Sequence, residues 1–131
     1  MAERVAFAGA EWAARLTDAY AGLPALAGAT AVVDHTGTGG PDGEVAYWTA
    51  FEDGRLVAAG AGHHADPTVT MTSPYTLASR VATGAADPSV AFMQGRTKVV
   101  GPMGPVMALL PLTQSDEYLS ALADVAVVTD F

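Results

Sequence analysis

Trp12, Leu16, Ala19, Tyr20 and Leu23 recur at the i, i+4, i+7, i+8, i+11 spacing of one helical face, and Gly22-Leu23-Pro24 supplies a stop. The pattern predicts a helix over about 10–21. Residues 29–36 are rich in Val and Thr and read as a strand that feeds a glycine-dense loop over 36–43. From 44 to 52 the chain alternates, with Val45, Tyr47, Thr49 and Phe51 on one face and Ala46, Trp48 and Ala50 on the other. Asp53-Gly54 then separates this strand from a small-residue strand over 55–61, the dipeptide expected where both central turn residues need positive φ.

Further on, 66–72 places threonines on one face and Val69 and Met71 on the other, a half-buried strand. Ser73-Pro74 reads as an N-cap and first-turn proline ahead of a helix with Leu77, Ala78, Val81 and Ala82 inward and Gly84 as its stop. Asp87-Pro88 and Gly95 bracket a second short helix bearing Val90, Phe92 and Met93. A last strand occupies 96–100. Gly104-Pro105 opens an apolar helix closed by Pro111, and Thr113-Gln114-Ser115-Asp116 resembles a capping box before a final helix with Tyr118, Leu119 and Leu122. No internal repeat is visible. An antiparallel or mixed sheet with helices on one face, an α+β layer architecture, buries these faces most simply.

Composition sharpens that picture. Half of the 131 residues are hydrophobic and 15% are charged, more apolar material than a modest core needs, and the length suits one domain over 1–131. The surplus has three outlets: a tight core, an oligomer interface, or an internal cavity. A net charge of −8 with six basic residues argues against nucleic acid, whose phosphates demand clustered Lys and Arg. The same balance disfavours stable residence on anionic membranes but permits transient membrane contact through an apolar patch, and it leaves a homodimer open.

With no cysteine, disulfide and thiol chemistry are excluded and a zinc site would need His and carboxylates alone. The longest apolar run, 102–112, is broken by Pro105 and Pro111, and the amino terminus carries Glu3, Arg4, Glu11 and Arg15 where a signal peptide would be uninterrupted. The terminal Thr129-Asp130-Phe131 is unlike the peroxisomal Ser-Lys-Leu address. A cytoplasmic protein without a cofactor is expected.

The stretch Asp87-Pro88-Ser89-Val90-Ala91-Phe92-Met93-Gln94-Gly95-Arg96-Thr97-Lys98-Val99-Val100-Gly101, leading into the apolar 105–112, resembles the carboxy-terminal signature of the sterol carrier protein 2 family. Tyr47-Trp48-Thr49 with Asp53-Gly54, and Ala65-Asp66-Pro67-Thr68-Val69-Thr70-Met71 before a helix, are similar to its usual progression. The likeness covers about 43–112 closely. It implies a five-stranded, mostly antiparallel sheet covered by helices, an apolar cavity for sterols, fatty acids or fatty acyl-CoA, and no catalytic residue. Pro102 departs from the pattern, since family members commonly carry an acidic residue after the matching glycine.

The residues point the same way. Segment 105–112 has no polar face, so its helix is enclosed or lines an apolar cavity. Met71, Met93, Met103 and Met107 bring thioethers that adapt to irregular apolar shapes, although methionine is more often plain core filler. The expected pocket wall is Leu77, Val81, Phe92, Met93, Met103, Val106, Met107 and Leu110, with the proline-flanked segment or the terminal helix as its lid.

A rival reading is an enzyme, or an enzyme-accessory module, that uses this pocket for a polycyclic or acyl substrate. Its candidate groups are Asp34, His35, Tyr47, His63, His64 and Asp66. Against it, Asp34-His35 and His63-His64 are sequence neighbours that diverge on a strand, which favours surface roles and a solvated strand end. Arg96 and Lys98 share a face that could meet an anionic head group or simply water. Gly37-Thr38-Gly39-Gly40 lacks the Lys-Ser/Thr of a phosphate cradle.

Overall fold

The computed structural model describes residues 5–20, 26–40, 43–83, 85–86, 88–113 and 115–130, without the side chains of Pro88, Ser89, Phe92, Leu110, Thr113 and Asp130. In chain order the elements are β1 (Val5–Ala6), α1 (Ala10–Tyr20), β2 (Ala31–Gly40), β3 (Gly43–Glu52), β4 (Arg55–Ala61), β5 (Val69–Pro74), α2 (Tyr75–Ala82), α3 (Pro88–Met93), β6 (Lys98–Val100), α4 (Met103–Thr113), α5 (Asp116–Ala126) and β7 (Thr129–Asp130). Five strands form one sheet in the order β4-β3-β2-β5-β6, while β1 and β7 pair separately. Every neighbouring pair in the large sheet is antiparallel except β2 and β5. The α+β sheet read from the sequence is therefore five-stranded, mixed and mostly antiparallel.

The hairpins follow local chemistry. Asp53 and Gly54 take φ of 49° and 82°, and their turn sets Glu52 opposite Arg55. β2 runs to Gly40 instead of stopping at 36, because the partner strand supplies a ladder that glycine accepts. Register shifts between Gly37 and Gly40, so the glycine run forms an irregular strand end in place of the expected free loop. Glycine at 37 also lets α2 approach: a Cβ there would meet Val45 Cγ2 at 3.0 Å and Ala78 Cβ at 3.3 Å.

Parallel pairing of β2 with β5 forces a crossover, and here it is short and non-helical. Residues 62–68 leave the end of β4, where the Gly62 amide donates to the Ala46 carbonyl, and reach the opposite end of β2, where the Thr68 amide donates to the Val32 carbonyl. The crossover therefore runs across one face of the sheet. The helices take the other face: α1 packs on β4 and α5, and α2 packs on β2 and β5.

Helix boundaries differ from the sequence reading in three places. β5 continues through Pro74, which is the extended residue before α2 and gives no side-chain cap; Ser73 stays in the strand. α4 begins at Met103 and contains both Pro105 and Pro111. Pro105 sits in the first turn, where a missing N–H costs no intrahelical bond. Ser115, not Thr113, caps α5, with its Oγ accepting from the Tyr118 amide at 3.2 Å. The expected signals at Gly22, Pro24, Gly84, Asp87 and Gln114 lie outside the described residues. Among the described residues no helix is long and apolar enough to cross a membrane.

Candidate functional site

Between the sheet and the helices lies a cavity of about 120 Å³. Its floor follows from strand pleating: Val45, Tyr47, Thr49 and Phe51 on β3 point the same way, joined by His35 from β2, Met71 from β5 and Val99 from β6. Its roof is built from helical stripes: Trp12, Leu16 and Tyr20 on α1, Ala78, Val81 and Ala82 on α2, Val106 and Leu109 on α4, and Tyr118 and Leu122 on α5. No charged side chain lines it among the described residues.

The polar groups of the wall are neutral and mostly aromatic. His35 stacks on Tyr47 with ring centroids 4.4 Å apart, and its Nε2 lies 3.3 Å from Thr49 Oγ1. Burial holds the imidazole pKa down at about 4, against a smaller opposing pull from Asp34. Burial likewise raises the phenols of Tyr20, Tyr47 and Tyr118 above the ordinary tyrosine value. Tyr20 and Tyr118 lie with rings 5.0 Å apart. The Tyr20 hydroxyl is near enough to Tyr118 and Tyr47 to feel both, yet it meets no partner in hydrogen-bond geometry among the described residues.

Of the pocket residues expected from the sequence, Val81 and Val106 line the cavity. Leu77 is fully buried but off its wall, while Met93 is 82% exposed and Met103 and Met107 also face solvent. The side chains of Phe92 and Leu110 lie outside the described residues. The physical reason is legible in α4: a helix without a polar face gives no cue to its rotation. Val106, Leu109 and Leu112 turn inward and Met103 and Met107 outward. The stripe on α1 and the odd-numbered face of β3 carried the missed signal, since both were readable as inward-facing. Periodicity says that a face is covered, not whether the cover fills the space.

The candidate acid–base residues do not converge. His35 and Tyr47 face the cavity. Asp34, one residue away, points to the opposite face, where it pairs in register with Trp48. There the crossover covers it, so Asp34 is 5% exposed, and the surface role expected for Asp34-His35 is overturned for both residues. His63 Nδ1 donates to Asp34 Oδ2 at 3.0 Å, and His64 packs edge-on to Trp48 with its Nδ1 accepting from the Asp66 amide. Among the described residues no group of three or more His, Asp or Glu is placed to hold a metal ion.

The sequence profile of the SCP-2 sterol transfer family matches residues 11–114. No curated protein sequence matches significantly. Among solved structures, a crystal structure of sterol carrier protein 2 superposes with a TM-score of 0.66 at 17% identity, covering 92% of this chain and 96% of that one. A conserved hypothetical protein of Thermus thermophilus gives 0.65 at 17% identity over 91% of this chain and 85% of its own. The Aedes aegypti sterol carrier protein 2, solved in solution with the C16 fatty acid palmitate, gives 0.56 at 18% identity over 79% and 92%. At such identities the structural likeness is one of fold. With the profile spanning most of its length, the chain belongs to the SCP-2 sterol transfer family.

Proposed function

We propose that the protein reversibly binds and carries an apolar molecule, of the sterol, fatty acid or fatty acyl-CoA kind, in the space between sheet and helices, and that it does so in the cytoplasm as one domain. The observation that supports this reading is a cavity between sheet and helices whose wall is made of apolar and neutral groups. Removing about 25 cal/mol per Å² of apolar ligand surface from water supplies the driving force. A cavity of about 120 Å³ is comparable with engineered cavities of about 150 Å³ that take benzene. A longer ligand therefore needs the roof to part, and α4 and α5 are the helices assigned to that motion. Brief contact with a membrane or a second copy would serve loading and release.

Lipid extraction and native mass spectrometry of the purified protein test the reading. Co-purified or added lipid should bind at one equivalent, and Ala78→Leu, which fills the wall beside Gly37, should weaken that binding about tenfold or more. A folded wild-type protein that takes up no lipid removes the proposal.

A further inference from the structure

Three tyrosines, Tyr20 from α1, Tyr47 from β3 and Tyr118 from α5, line the cavity together, with the rings of Tyr20 and Tyr118 5.0 Å apart. Each can donate and accept, and each is neutral. The Tyr20 hydroxyl, on a residue only 2% exposed, interacts with Tyr118 but meets no partner in full hydrogen-bond geometry among the described residues. A buried polar group left unpaired costs about 1–3 kcal/mol, so such groups commonly await a water or a ligand.

We infer that the cavity selects ligands whose buried polar group is uncharged, a hydroxyl or carbonyl, and takes that group inward against Tyr20, Tyr47 and Tyr118, while an ionised carboxylate is refused there. The inference rests on the carrier reading and adds the class and orientation of the ligand. Its reason is desolvation: an anion buried without a cation loses far more hydration than phenol donors return. Among the described residues the lining offers no Lys or Arg, and the whole chain carries a net charge of −8. Among the described residues the titratable groups facing the ligand are His35 on β2, Tyr47 on β3, Tyr20 on α1 and Tyr118 on α5, and the described lining from α2, α4, β5 and β6 adds none. His35, with its pKa held at about 4, stays neutral through mildly acid pH and supplies no counter-charge. Palmitate in the Aedes aegypti relative sets the contrast, since this cavity is expected to rank an alcohol above an acid of equal length.

Calorimetric titration with 1-dodecanol, dodecanoate and dodecane separates the possibilities. At neutral pH the alcohol should bind about tenfold or more tightly than the carboxylate. Dodecanoate affinity should climb as pH falls toward about 5, where the acid begins to take up its proton, and dodecanol affinity should stay level. Tyr20→Phe and Tyr118→Phe should each weaken dodecanol about tenfold and leave dodecane unchanged, which reports an intact cavity. Equal, pH-independent affinity for alcohol and carboxylate overturns the inference and leaves the carrier reading standing. Failure of all three probes to bind the folded protein overturns both.

Discussion

The imidazole of His35 lies face to face with the phenol of Tyr47, ring planes within 10° of parallel, on a register pair that joins β2 and β3 in the cavity floor. Because desolvation holds the folded His35 pKa at about 4 against an ordinary value of 6.5, the unfolded chain binds the proton first as pH falls. Stability from this group is complete above about 6.5 and is lost as pH drops toward 4, by up to about 3 kcal/mol. Urea midpoints for wild type and His35→Gln, measured near neutrality and at about pH 5, should show a steeper acid loss in the wild type. Equal slopes would show that His35 protonates freely in the folded state.

Asp34 is covered by the crossover and depends on His63 for the proton that its Oδ2 accepts, while its Oδ1 has no partner among the described residues. His63→Ala strips that partner from a buried carboxylate and should destabilise by about 2 kcal/mol. Asp34→Asn with His63→Ala together should cost less than the sum of the singles, a coupling that a thermodynamic cycle reads directly. Strict additivity would mean that the contact contributes nothing in solution.

Gly101 links β6 to α4 at φ 130°, and a Cβ there would stand 2.8 Å from the Thr68 carbonyl oxygen and 3.1 Å from Val69 Cα. Both contacts are backbone and cannot swing away. Gly101→Ala should therefore lower stability by about 2 kcal/mol or more, read as a fall in Tm. A thermally unchanged variant would show that the link rearranges.

The Ser115 cap holds the start of α5, the helix that places Tyr118 over the cavity. Ser115→Ala should cost about 1 kcal/mol of stability, and Ser115→Asp should restore it by accepting from the same amide. Loss without rescue by Asp would assign the serine's value to its other bond, in which Oγ donates to the Leu112 carbonyl at 2.8 Å.

Much of this protein was determined locally and was legible in the sequence. The i, i+4, i+8 stripe of Trp12, Leu16 and Tyr20, the alternation of Val45, Tyr47, Thr49 and Phe51, and the Asp53-Gly54 turn each specify an element and its inward face, because helix and strand periods act over a few residues. The capping motif announced a helix, though contact alone could show that Ser115 holds its amide. What periodicity could not reach was anything set across the fold. The parallel pairing of β2 with β5 sends 62–68 over the sheet, and only that path buries Asp34 and hands it His63. The rotation of α4, which turns Val106 inward and Met107 outward, was likewise invisible in a segment with no polar face. Whether the covered faces close on one another or leave a space depends on how far apart long-range packing holds sheet and helices. That distance is a property of the assembled layers, and no single stretch of chain encodes it.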